Sequence, residues 1–126
     1  MRRLYGALVV LFICAVIVIT GYNINTGVAG YVFDRVTAAE RLCRSGDRDR
    51  TKKAVYDAEK CWSENLDVML LFVSHGKADE IESTLSTAKS FFDSGSTDMF
   101  LASCNQAQTE LKHFIEAEKT GLYNIL

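Results

Sequence analysis

The chain contains no proline and only two histidines, and no charged residue falls between Leu4 and Ile19. Each absence excludes something. Without proline, no helix meets a missing amide donor or a ring that clashes with the preceding turn. Two histidines, with no C-x-x-C pair and no zinc-type spacing, leave little from which to build a metal centre. Excess positive charge is missing as well. The formal net charge is −2, and removing Arg2 and Arg3 takes it to −4, which excludes the basic face of a nucleic-acid binder. No segment shows the period-two alternation of a half-buried strand.

The uncharged N-terminal run reads LYGALVVLFICAVIVI, and Thr20, Gly21 and Tyr22 extend it. At 1.5 Å per residue its length suffices for a hydrocarbon core of about 30 Å. Inside lipid each backbone amide must be bonded within the segment, so the run is expected to be helical. Tyr5 and Tyr22 bracket it at the positions of interfacial aromatics. Arg2, Arg3 and the amino terminus are positive on one flank, while Asn23 to Asp34 carries no Lys or Arg. The positive-inside rule therefore puts the N-terminus in the cytoplasm and everything after Tyr22 outside, as a single-pass protein of the cell membrane. The competing reading is a cleaved signal peptide. Its best site, Gly27-Val28-Ala29, lies well beyond the apolar core, and Cys14 follows Ile13 where a lipoprotein cysteine needs a small residue.

The expected organisation is an anchor at residues 1–22, a linker at 23–30 and an extracytoplasmic bundle at 31–126. NINTGVAG is small and polar with two glycines, and reads as a linker or a loosened helix start. Beyond it, four segments carry apolar stripes at three- and four-residue steps. They are Val32, Val36, Ala39 and Cys43; then Val55, Ala58, Trp62, Leu66, Met69 and Val73; then Ile81, Leu85, Ala88 and Phe92; and last Phe100, Cys104, Ala107, Leu111 and Phe114. Ser45-Gly46-Asp47 and Ser94-Gly95-Ser96-Thr97 supply glycine stops and side-chain caps. His75-Gly76 is read as the end of the second helix, and Lys119-Thr120-Gly121-Leu122 as a glycine close of the fourth. Short loops imply antiparallel neighbours, so the fold class is all-α: one transmembrane helix followed by an antiparallel bundle of three to four helices.

The single span, Trp62 within the second helix, His75 followed by Asp79 and Ile81, and the terminal Tyr-Asn-Ile-Leu together resemble a family of small bacterial single-span membrane proteins known as a domain of unknown function. The resemblance covers nearly the whole chain. It implies a Gram-positive-type bacterial source and the company of a multi-span membrane protein, and it brings no catalytic residue with it.

Side chains that could carry chemistry have plainer uses. Cys43, Cys61 and Cys104 lie on apolar stripes, where thiols act as small hydrophobes. Counting from the loops puts Cys43 and Cys61 about 15 Å apart along their hairpin, and leaves Cys61–Cys104 as the conceivable disulfide. His75 with Asp79 and Glu80 could be drawn as a metal site, but a helix-terminal histidine fits the same residues. His113 is expected to be solvated, and the acidic pairs Asp79-Glu80 and Glu116-Glu118 fit a helix surface. No serine or cysteine sits in an elbow or triad context. The expectation is therefore a non-enzyme without cofactor.

Two features rise above this background. Arg44, Arg48, Arg50, Lys52 and Lys53, with Arg41, crowd the first hairpin. They are candidates to dock an anionic partner, or else form a solvated loop partly neutralised by Glu40, Asp47 and Asp49. Val68 to Val73 is apolar all round rather than along one stripe. An antiparallel second helix returns this run toward the membrane, and the fourth helix returns its tail to the same end. Leu70, Leu71, Phe72, Leu122, Tyr123, Ile125 and Leu126 are thus candidate contacts to a partner or to lipid. These residues suggest an accessory protein that docks a multi-span membrane partner or itself, with residues 4–22 in the bilayer. The alternative is an extracytoplasmic sensing four-helix bundle that signals through a partner.

A topology reporter tests the charge asymmetry. An alkaline phosphatase fused after Leu126 should be active, and moving the two arginines to the Asn23–Asp34 flank should weaken or invert that result.

Overall fold

The periodic segments fold as four helices: α1 (Arg2–Arg44), α2 (Arg48–Met69), α3 (His75–Asp93) and α4 (Thr97–Ile125). The structure, a computed structural model, describes residues 1–73 and 75–125, the side chains of Leu122, Tyr123 and Ile125 excepted. No strand occurs among the described residues. Packed neighbours are α1 with α2, α2 with α3, α3 with α4, and α4 with α1. This is an up-down-up-down four-helix ring in which the backbones of diagonal helices stay apart and only large core side chains reach across.

The stripes become the core. Val32, Val36 and Ala39 of α1 are buried with Val55, Ala58, Trp62 and Met69 of α2, Ile81, Leu85, Ala88 and Phe92 of α3, and Phe100, Cys104, Ala107, Leu111 and Phe114 of α4. Cys43, Leu66 and Val73 pack half-buried at its margin. Trp62 anchors the centre. Its ring meets Phe114 edge to face at 5.5 Å, and its indole N–H donates to the Ala78 carbonyl at 3.0 Å, so the polar tip of a fully buried side chain is not left unpaired.

Two loops close as their glycines require. Gly46 and Gly95 have φ of 84° and 79°, the left-handed region that side-chain-bearing residues avoid. Around them run the paired bonds of a glycine helix stop. Gly46 N–H donates to Cys43 and Asp47 N–H to Leu42, while Gly95 N–H donates to Phe92 and Ser96 N–H to Phe91. Asp47 then caps α2 by accepting from Arg50 N–H at 3.1 Å.

Three local expectations are corrected. The linker at 23–30 does not exist as a break, because α1 runs unbroken through NINTGVAG. Glycine and asparagine weaken a helix by up to about 1 kcal/mol each, but Gly21, Asn25, Ala29 and Val32 lie on one face and are buried against the bundle. Packing outweighs propensity there. His75 opens α3 instead of closing α2. Helix α2 stops at Met69, and Leu70 to Val73 form the turn. Finally, α4 continues past Gly121 to Ile125, so no glycine close forms at that position. The same geometry removes the Cys61–Cys104 pairing, since α2 and α4 are diagonal and bring no Cα atoms within 8 Å of each other, beyond the roughly 7 Å that a disulfide spans.

α1 is also the described helix that is long and apolar enough to cross a membrane. Residues 1–20 are exposed except for the partly covered Val18, and burial starts at Gly21. At 1.5 Å per residue the whole helix is about 65 Å long, and its outer half belongs to the bundle.

Truncating Trp62 to alanine in the full chain should cost about 3–5 kcal/mol, and Leu111→Ala about 2–5 kcal/mol. Denaturant melts followed by circular dichroism check this. An unchanged midpoint for Trp62→Ala would mean that the core has been assigned wrongly.

Candidate functional site

The bundle has two ends of opposite character, and both are fixed by α1. At the inner end the α2–α3 turn comes back to the level of Gly21. The Phe72 ring lies against that glycine so closely that a Cβ there would stand 2.7 Å from its Cγ and 2.8 Å from its Cε1. Only glycine admits this approach. Above it the fully buried Asn25 donates to Glu118 of α4 at 3.4 Å, while its own Oδ1 finds no partner among the described residues. Seven residues separate Glu118 from the end of α4 at Ile125, so the last turns of α4 run about 10 Å further, beside the exposed apolar stretch of α1.

The candidate contact residues divide at this end. Leu70 and Val73 pack half-buried on the core. Leu71 is 77% exposed, Val68 44% and Phe72 37%, so the outward apolar surface is carried by Leu71, Val68 and one edge of Phe72. Val68 belongs to the apolar run but was not among the contact candidates read from sequence. Among the tail candidates, Leu126 and the side chains of Leu122, Tyr123 and Ile125 lie outside the described residues.

At the outer end the cations are mostly engaged. Arg44 pairs with Glu40 at 3.2 Å and Arg50 with Asp47 at 3.5 Å, both exposed pairs of small energetic weight. Lys52 and Lys89 approach the Tyr56 ring at 5.4 and 4.4 Å. The Tyr56 hydroxyl donates to Asp93 at 2.8 and 2.9 Å, and that bond pushes its pKa up. Arg48 stacks over Phe92 at 5.1 Å and makes no ion pair among the described residues. Lys53 lines a groove of about 240 Å³ between α1 and α2, together with Arg35 and Arg50. The five candidates therefore spread over two faces of the hairpin and do not converge on one point.

Between the two outer loops lies a cavity of about 270 Å³. Phe91, Phe92 and Phe100 form its apolar wall, and Arg48, Thr51, Thr97 and Cys43 supply the polar groups. Sequence reasoning missed it, because it depends on how the α1–α2 and α3–α4 loops meet in space.

The thiols are not activated. Burial raises Cys43 despite the neighbouring Arg44. Cys61 is raised by burial and by Glu64. Cys104 is pushed up to about 12, first by burial and then by Glu40 and Cys43. His75, Asp79 and Glu80 are all exposed, and among the described residues no three His, Cys, Asp or Glu side chains gather to hold a metal ion.

The family described as Domain of unknown function (DUF4363) matches residues 22–125, and the chain belongs to it. The matched region begins where burial begins on α1, so it coincides with the four-helix bundle. No curated protein and no solved structure matches the chain.

Proposed function

Taking that membership as premise, we propose that this is a non-catalytic, membrane-anchored interaction protein of a bacterial cell envelope. Residues 4–22 cross the bilayer, Arg2 and Arg3 hold the N-terminus in the cytoplasm, and the bundle stands outside. Its base docks a multi-span membrane protein. One observation carries the reading: Leu71 and Val68 are exposed beside the exposed apolar run of α1, on a bundle whose core is complete without them. An apolar surface of this kind, continuous with a membrane segment, is normally covered.

A partner surface is preferred to lipid alone because the α2–α3 turn is tied to Gly21 and presents Leu71 in one fixed direction. Burying a side chain of this size contributes about 1.5–3 kcal/mol. With tagged full chain extracted from native membranes in mild detergent, a membrane protein should co-purify with wild type. Its recovery should fall about tenfold or more with Val68→Glu/Leu71→Glu, at an unchanged melting temperature. Equal recovery with the variant would defeat the docking reading, and recovery of the chain itself alone would replace the partner by a second copy.

A second reading, the sensing bundle, is favoured by the outer cavity, whose three phenyl rings and unpaired Arg48 suit a small aromatic carboxylate. Benzoate or phenylacetate should then raise the melting temperature of wild type but not of Arg48→Gln. No shift in wild type would remove the support that the cavity lends it.

A further inference from the structure

Three hydrogen bonds set the register of α4 against α1. Asn25 donates to Glu118, and Gln108 donates to Glu40 at 2.7 Å and to Thr37 at 3.5 Å. The helices are antiparallel, so one turn further out from Gln108 is Cys104, and one turn further out from Thr37 and Glu40 are residues 41–44. Cys104 therefore comes level with Cys43. Both face inward. Cys104 is 1% exposed, and Cys43 packs against the core and lines the outer cavity with Phe100, one turn from Cys104 on α4. Small residues flank them, since Ala39 and Ala107 are fully buried on the same two helices. Small side chains let two helix axes approach to about 8 Å, which brings facing Cα atoms within the roughly 7 Å that a disulfide spans.

We propose that Cys43 and Cys104 form a redox-active pair that can be joined as a disulfide, stapling the membrane-proximal helix to the last helix of the bundle at its outer end. Cys43 is the entry point because it is half-exposed while Cys104 is buried. With a disulfide as oxidant, the Cys43 thiolate attacks one sulfur of the donor and releases one thiolate. Cys104, on losing its proton, attacks the Cys43 sulfur of the mixed disulfide and releases the second. Two protein thiols are oxidised and one donor disulfide is reduced to two thiols, so atoms and electrons balance. Cys61 stays outside the pair, on α2 and diagonal to α4. The inference stands independently of any docking partner, and an extracytoplasmic bundle would meet conditions in which such bonds persist.

The test uses the full chain in detergent micelles, reduced and then incubated with oxidised glutathione. Peptide mass mapping should find the Cys43 and Cys104 peptides joined with loss of two hydrogens, in wild type and in Cys61→Ser, and not in Cys43→Ser. Closing so long a loop should raise the melting temperature by roughly 10 °C, reversibly with dithiothreitol. Mapping on wild type needs no variant to fold. Cross-links that use Cys61, or a Cys43 that stops at its glutathione adduct with Cys104 still reduced, would overturn the proposal.

Discussion

Everything in this structure depends on α1 continuing without a break from its exposed apolar turns into the bundle. An isolated helix of this length is not held by propensity, least of all across Asn23 to Gly30. It is held because every third or fourth residue from Gly21 outward is covered by α2 or α4. The same side chains that stabilise the helix also define where the bundle begins. Phe72 on Gly21 and Glu118 on Asn25 close that boundary from two sides. The second of these contacts is imperfect. A buried amide oxygen without a partner is costly, and we read its retention as a marker of register, since a polar group of this kind tolerates few alternative pairings.

The two ends of the bundle divide the physical work. At the outer end, cations lie over aromatic rings. Arg48, Lys52 and Lys89 lie over Phe92 and Tyr56, while Asp47 and Asp93 are taken up by a cap and a tyrosine. At the inner end the imbalance is apolar, with Leu71 and Val68 facing away from a core already filled. A protein anchored by one helix would be expected to spend its exposed apolar surface near the bilayer, and the proposed docking base follows that economy.

Much of this was legible in the residues. The four stripes predict most of the large buried side chains, because three- and four-residue spacing states which side chains share a helix face, and they miss small or polar buried residues such as Asn25, Ala29, Thr51 and Ala78. Gly46 and Gly95 were legible for a different reason, in that a helix stop in the left-handed conformation has a strong residue preference. The errors arose where local chemistry was asked to decide a tertiary question. NINTGVAG reads as a linker only while its buried face is unknown. His75-Gly76 reads as a helix end only while the turn at Leu70–Val73 is hidden inside an apolar run. Within that run, nothing in the residue types distinguishes Leu70, which packs, from Leu71, which does not. The free-thiol reading of the cysteines holds, while the Cys61–Cys104 pair it left conceivable is excluded for a related reason. Height along a helix can be counted from the loops, but which helices are neighbours and which are diagonal is a property of the closed ring.

The unbroken α1 has a geometrical consequence of its own. A helix advances 100° and 1.5 Å with each residue, so the azimuth of the apolar run and that of Leu71 are locked in phase with no joint between them. One residue inserted between Thr20 and Gly21 would leave composition and hydropathy nearly unchanged, yet would swing the base about a quarter-turn around the shaft. The spacing between the two halves of α1 is therefore an angular coordinate as much as a length. Whatever face the first half presents to its surroundings, the second half presents Leu71 at a set bearing from it.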